Sequence, residues 1–419
     1  MKIIADLHVH SKYSRACSEN LTLESMDAFA KQKGVGLVST GDFTHPAWMK
    51  EIKGKLVESG EGIYKLNGRG AGTNFVIGAE MSTVFERAGR IKKVHNCVLV
   101  PNIEIAEQVN EALSKYGDRS SDGRITLNIE LPNFVSLLRS ISKDIFVFPA
   151  HAWTPWYSVF GAFSGFNSIE EAYGDQADHI YALETGLSSD PKMNWMISKL
   201  DKYTLVSNSD AHSPQKIGRE ANVFELDNLN YKELTDAIKK KDGSRLRMTI
   251  EFYPEEGKYH FDGHRNCNVS MSPEEAKKLN NICPVCRKKL TIGVMHRVYD
   301  LADRPFGFVP KNSIPYVHSM PLAELIAYML RKGQSSIAVK ELYDKLISEF
   351  GSELNVMLDS KLEDIYKIDK TLAEGIERVR TEKVHLIPGY DGVFGIVDVM
   401  NRVSEQRNQQ YRQHSISEY

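Results

Sequence analysis

The apolar positions of this chain fall into short β-rich runs that recur through about residue 248. Each run is followed by a stretch of helical or loop character, and each carries a metal-ligand type of residue at or near its end. The runs are Ile3–Asp6, Val35–Thr40 before Asp42, Phe75–Ala79 before Glu80, Val94–Val100 containing His95, Ile145–Ala150 before His151, Ile180–Leu183 before Glu184, and Thr204–Ser209 before Asp210-Ala211-His212. Strands alternating with helical segments predict a parallel sheet. In barrels built this way the active groups gather at the C-terminal strand ends. The expected fold is α/β, a distorted (β/α)7-type barrel carrying metal ligands. His95 departs from the pattern, because it sits at the start of its run.

Past residue 250 the pattern breaks. Residues 251–303 hold a Cys cluster and read as a small zinc-binding module, with 1–250 as the barrel. Residues 304–400 begin with a Pro-containing irregular stretch. They continue with apolar residues at three- and four-residue steps (Leu362, Ile365, Ile368, Leu372, Ile376, Val379), which predicts helices. Gly389-Tyr390-Asp391-Gly392 predicts a turn. Residues 401–419 are polar and Gln-rich and read as a flexible tail.

Composition narrows the class. Hydrophobic residues make up 42% and charged residues 26%, the balance of a soluble globular chain. No run approaches the roughly 18–20 apolar residues of a membrane span, and no secretory signal is visible. Five Cys, three of them clustered, do not form a disulfide framework, so a reducing, cytoplasmic setting is expected. A net charge of −2 argues against a protein that coats nucleic acid by charge alone.

The candidate ligands are His8, His10, Asp42, His45, Glu80, His95, His151, Glu184, Asp210 and His212. Residues two apart on a strand point the same way, so His8/His10 and Asp210/His212 each present a pair to one site. Zinc takes about four ligands, so a set of this size predicts two or three divalent ions. Imidazole and carboxylate together suit zinc, manganese or magnesium according to availability. Glu80 and Asp210 are the natural bridging carboxylates, and they and His212 are expected at the reacting centre. Clustered ions suit phosphoester hydrolysis. Asp42, His45 and Glu184 read equally well as groups that orient a ligand imidazole.

His264-x2-Cys267, fifteen residues, then Cys283-x2-Cys286 is a spacing for one structural zinc. The fourth ligand is the open one: His264 is favoured by spacing, with His260 and His296 as alternatives. Arg287, Lys288 and Lys289 follow directly and suit phosphate contacts that position a nucleic acid without reading sequence.

Asp-Leu-His8-Val-His10, Gly41-Asp42-Phe-Thr-His45, Glu80, His95, His151 and Ser209-Asp210-Ala-His212 resemble the PHP (polymerase and histidinol phosphatase) superfamily. That resemblance implies a distorted barrel with a trinuclear metal centre for phosphoester hydrolysis. The chain departs from the family in lacking the third His of the first motif, where only Ser14 or Cys17 is offered. It also has two residues between Asp42 and His45. The order barrel, His260-Phe-Asp-Gly-His264-Arg-Asn-Cys267, Cys283-Pro-x-Cys286, then helices ending Pro388-Gly-Tyr-Asp-Gly-Val-Phe394-Gly closely resembles the endonuclease Q family across nearly the whole chain. The resemblance implies a DNA repair nuclease with a DNA-binding helical domain. Such a nuclease nicks 5′ to hypoxanthine, uracil, xanthine or an abasic site, in double- or single-stranded DNA.

Reading a deaminated base means reading its altered Watson–Crick edge, which takes the base out of the stack. The aromatic loop after His151 offers Trp153, Trp156 and Tyr157 as the base pocket, although plain packing over the barrel explains such a loop equally well. In the tail, Gln413, Ile416 and Tyr419 resemble the start of a sliding-clamp (PCNA) binding box. The competing readings are a PHP-type phosphatase on a small phosphate monoester and a nucleic-acid scaffold with a degenerate barrel. The zinc module and helical region argue against the first, and the intact ligand set argues against the second.

Overall fold

The computed structural model describes residues 1–68 and 72–402. The described residues divide into two compact units, one within 1–252 with 292–317, the other 253–291 with 318–402.

The first unit is the distorted barrel. Its leading strands, Lys2–Asp6, Leu37–Ser39 and Asn74–Val76, run parallel, with Ala5 opposite Leu37 and Val38 opposite Phe75. Alternating small and branched apolar residues explain why they form: Ile3, Ala5, Leu37 and Val76 all point into one core with Leu99, Phe146, Phe148, Ala182 and Val206. The helices between them are set by local signals. Leu23–Lys33 starts with a capping box from Thr22 and Ser25 and stops at Gly34, whose φ of 88° only glycine adopts freely.

The run Phe75–Ala79 is broken into two strands at Ile77. Gly78 opens the second strand, where an added Cβ would lie 2.4 Å from Ser39 Oγ and 2.7 Å from Leu99 Cδ2. Gly78–Arg87 then pairs antiparallel with Arg90–Leu99 along ten residues. Arg90–Leu99 is also antiparallel to Phe146–Pro149. Ala182–Glu184 and Thr204–Val206 are parallel, and a parallel bridge from Val9 to Ala211 joins the end of the barrel to its beginning. The parallel sheet expected from the strand–helix alternation is therefore interrupted by one reversed strand. That reversal accounts for His95: it lies in the middle of Arg90–Leu99, at the start only of the strand's apolar half, and it pairs with Ser82, two residues past Glu80 on the neighbouring strand. Two further antiparallel strands, Ala221–Glu225 and Leu246–Glu251, extend the sheet beyond Lys2–Asp6.

The second unit packs the helices Leu322–Leu330, Ile337–Phe350, Leu362–Ile368 and Lys370–Arg380 around Leu325, Leu346, Ile365, Leu372 and Ile376. The periodic apolar stretch from Leu362 to Val379 is two helices, because Asp369 turns extended (φ −153°) and its carboxylate caps the second by accepting the Leu372 N–H at 2.8 Å. Asp391, in the predicted Gly389–Gly392 turn, accepts the N–H of Arg265 at 2.7 Å and the hydroxyl of Thr291 at 2.7 Å, which fixes the turn against the Cys-bearing segment. Residues 292–317, expected as the end of the zinc module and the Pro-containing irregular stretch after it, belong to the barrel unit. No helix among the described residues is long and apolar enough to cross a membrane.

Candidate metal centre

Strands of the barrel carry six side chains to one spot. His10 Nε2 lies 3.0 Å from Asp210 Oδ1 and 3.3 Å from Glu80 Oε2. His8 Nε2 faces the same two oxygens at 3.5 and 3.8 Å. Glu80 turns its other oxygen the opposite way, with Oε1 2.6 Å from His95 Nδ1 and 2.9 Å from His151 Nε2. The donors thus form two groups, His8/His10/Glu80/Asp210 and Glu80/His95/His151, each with its ligand atoms within 4.8 Å, and Glu80 belongs to both.

The residues fit divalent ions. Nε2 of His8 is buried with no hydrogen-bond partner among the described residues, and a buried orphan nitrogen is costly unless something binds it. Imidazole and carboxylate are also the donors such ions take. The electrostatics point the same way. Burial would raise the Glu80 carboxyl, yet His95 and Arg124 hold it well below its usual range. Burial would raise Asp210 too, and His8 and His10 hold it far lower. Burial opposes protonation of His8 and His10, but Cys97 and Glu184 around the first and Asp42 and Asp210 around the second lift both well above the ordinary histidine value. His95 is pushed down to about 4, first by burial, and stays neutral near pH 7.

A ring of partners orients these ligands. Glu184 accepts from His8 Nδ1 (3.0 Å), the His151 backbone N–H (2.7 Å) and Asn208 (2.8 Å), which turns His8 Nε2 toward the centre. Asp42 Oδ1 lies 3.1 Å from His10 Nδ1 and does the same for that ring. Asp42, His151 and Asp210 hold φ values of 47°, 30° and 47°. Left-handed backbone at non-glycine residues costs about 1–3 kcal/mol each and clusters where function fixes the geometry.

Three of the expected ligands are not brought into either group. Asp42 is excluded because its Oδ2 already accepts from Ser11 N, Ser11 Oγ and Ser14 Oγ at 2.6, 2.7 and 2.9 Å. His45 stacks on Tyr13, ring centroids 4.4 Å apart, and joins none of the convergent groups. His212 stands at the rim, its Nδ1 bonded to the Asp210 carbonyl at 2.8 Å and its ring 4.6 Å from that of His10. Burial pushes the Cys17 thiol up to about 12, so it offers no thiolate.

In the aromatic loop, Trp156 and Tyr157 are exposed, with Trp156 stacked on Phe163 at 4.9 Å and Tyr157 packed on His95 at 4.8 Å. Trp153 is a correction. It is 1% exposed, lies against Phe160 and donates its indole N–H to Asn194 Oδ1 at 2.8 Å, so it belongs to the core and cannot stack on a base. In the second unit His264, Cys267, Cys283 and Cys286 converge within 4.8 Å. Of the alternative ligands, His260 stacks on Phe261, and His296 lies on a helix of the barrel unit. Gln413, Ile416 and Tyr419 lie outside the described residues.

Two residues of the centre were not anticipated. Cys97 forms a third convergent group with His8 and Glu184, and its signal was its place two residues after His95 on the same strand face. Arg124 donates to Glu80 Oε2 at 3.0 Å from a loop with no motif to announce it.

Comparison with solved structures decides the family. The lesion-specific endonuclease PfuEndoQ of Pyrococcus furiosus is 34% identical, with a TM-score of 0.85 and 95% of each chain covered. The chain belongs to the endonuclease Q family. An endonuclease Q solved in complex with a 27-mer duplex substrate, with an abasic lesion at the active site, is likewise 34% identical, with a TM-score of 0.83 over 95% of this chain and 96% of that one. Residues 201–242 match a family described as PHP-associated, and residues 321–383 match the MJ0043 C-terminal domain. The uncharacterised protein MJ0043 of Methanocaldococcus jannaschii is 34% identical over 58% of this chain, which spans 31% of that relative's length. YqxK of Bacillus subtilis is 29% identical over 94% of this chain and 98% of its own. As an endonuclease Q, the protein is a phosphodiester hydrolase, and its barrel brings together residue groups able to hold divalent ions.

Proposed function

We propose that this endonuclease Q is a metal-dependent DNA repair enzyme that nicks the phosphodiester 5′ to deaminated bases (hypoxanthine, uracil, xanthine) and to abasic sites. The observation that carries the reading is the shared position of Glu80, one oxygen toward His95 and His151 and the other toward His8, His10 and Asp210. A carboxylate so placed could serve both donor groups at once, and divalent ions held there would supply the charge stabilisation and water activation that phosphodiester cleavage needs. The solved complex of a relative with an abasic duplex supports DNA as the substrate.

His8, His10, Glu80 and Asp210 would hold one ion, and Glu80, His95 and His151 the other. When bound, zinc, manganese or magnesium activates the attacking water and offsets charge on the attacking and leaving oxygens. Glu184 and Asp42 keep the two imidazoles of the first strand turned inward. Asp210, with His212 beside it at the rim, faces the incoming backbone and takes part in moving the proton of the attacking water. Trp156 and Tyr157 stack on or beside the extruded nucleotide. His264, Cys267, Cys283 and Cys286 hold a structural zinc, and the exposed Arg287, Lys288 and Lys289 next to it contact phosphates. The tail residues Gln413, Ile416 and Tyr419 engage a sliding clamp.

The test uses oligonucleotides carrying hypoxanthine, uracil or no lesion, with and without chelator, for wild type and Asp210→Ala. Lesion-dependent nicking that chelator and Asp210→Ala both abolish is expected. Equal nicking of undamaged DNA would overturn the repair reading. If Gln413→Ala with Tyr419→Ala leaves clamp binding unaltered, the tail assignment fails.

A further inference from the structure

The corner of the site next to His10 is closed by protein. Asp42 Oδ2 accepts three donors, from the Ser11 amide, the Ser11 hydroxyl and the Ser14 hydroxyl, which exceeds the two lone pairs a carboxylate oxygen offers. Gly123 presses on the same corner: a Cβ built there would lie 2.4 Å from Ser14 Oγ and 2.5 Å from Asp42 Oδ2. The residues do not fit a third ion. What reaches the centre from this side is Arg124. Its Nη1 donates to Glu80 Oε2 at 3.0 Å, its side chain is 25% exposed, and Asp210 also draws on its charge.

The loop that carries Arg124 is pinned on both sides. The Gly123 N–H donates to the Tyr13 carbonyl at 2.9 Å, Thr44 Oγ1 donates to the Gly123 carbonyl at 3.2 Å, and Asp122 accepts the Arg15 N–H at 3.1 Å. Behind it, Thr126 and Leu127 pair with Ser82 and Thr83 of the strand that bears Glu80. A guanidinium has five N–H donors in a fixed fork, and among the described residues the side chain of Arg124 spends only one, on Glu80. A rigidly mounted, permanently charged fork with donors to spare is suited to bidentate recognition of phosphate.

We propose that Arg124 is a catalytic residue of this endonuclease: its guanidinium takes the place of a third cation and grips a non-bridging oxygen of the scissile phosphate. The inference rests on the endonuclease reading. In the pentacoordinate transition state negative charge builds on the non-bridging oxygens, and a donor already held in place stabilises it without reorganisation.

The experiment compares wild type, Arg124→Ala and Arg124→Lys on hypoxanthine duplex under single-turnover conditions, with and without added guanidinium. Metal content by mass spectrometry and duplex binding in calcium are measured alongside. Arg124→Ala is expected to slow nicking by roughly 10²- to 10³-fold, the cost of one oxyanion donor, while metal content and duplex affinity change by less than about threefold. Free guanidinium is expected to restore about tenfold or more of the lost rate, and Arg124→Lys to recover less than that. Loss of bound metal in Arg124→Ala, absence of guanidinium rescue, or a third ion retained in the wild-type barrel would each overturn the proposal. Wild type that fails to nick the hypoxanthine duplex sinks the endonuclease reading itself, whereas wild type that nicks while Arg124→Ala matches it sinks only this inference.

Discussion

Single side chains divide sharply between those that reach the reacting centre and those that stand behind it. Glu184 touches His8, the His151 backbone and Asn208 but faces no convergent donor group of its own beyond His8 and Cys97. Removing such a partner costs metal affinity by roughly 10- to 100-fold. Glu184→Gln should therefore weaken ion retention in a chelator competition by that amount, with circular dichroism unchanged. Titration has a sign that follows from the histidines. In chelated protein the pKa values of His8 and His10 are raised above the unfolded value, so their protons contribute stability fully present below about pH 6.5, and lost as pH rises through the higher folded values. Ion binding must displace those protons, so ion affinity should climb with pH over the same window. A chelator titration at pH 6, 7 and 8 that showed flat affinity would contradict this. Which residues would gather was readable from the sequence where spacing fixes direction, as for His8 with His10. The separation of Asp42 from the ligands was not, because it depends on hydroxyls of Ser11 and Ser14 some thirty positions away in the chain.

Strands and loops explain where the reading from pattern stopped. The seven β-rich runs are strands, but pattern carries no sign of direction, and the reversal of Arg90–Leu99 came from a two-residue turn after Arg87 that a parallel scheme has no place for. The aromatic loop shows the same limit. Trp153 and Trp156 are three residues apart and alike in type, yet one is sealed under Phe160 and the other stacks on Phe163 at the surface. Their substitutions should separate cleanly. Trp153→Ala should destabilise the protein by about 3–5 kcal/mol, seen as a lower melting temperature. Trp156→Ala should leave melting unchanged and weaken binding to hypoxanthine duplex by about 1–3 kcal/mol, the worth of one base stack. If Trp156→Ala and Tyr157→Ala both leave that binding unaltered, the loop does not hold the extruded nucleotide.

Across the chain, the barrel was legible because its ligands recur with the strand period, and the helices of the second unit because their apolar residues recur with the helical one. The return of residues 292–317 to the barrel unit was not, since nothing local marks a segment that packs against residues some hundred positions earlier, as Arg304 does against Asp201 at 2.7 Å. The zinc site proposed for the second unit is testable separately from the barrel. Cys283→Ser should release one zinc equivalent per chain and lower the melting temperature, while the barrel keeps its ions, as element-resolved mass spectrometry would show.

The central claim is that the Glu80-centred site cuts DNA at a damaged position and on a defined side of it. The direct measurement is the position of the nick in duplexes labelled at either end and carrying a single hypoxanthine, run beside the same duplex without the lesion. A single cut at the phosphodiester 5′ to hypoxanthine, absent from the undamaged duplex and from Glu80→Gln, is the predicted result. Cuts of equal yield in both duplexes, or a cut that persists in Glu80→Gln, would contradict it.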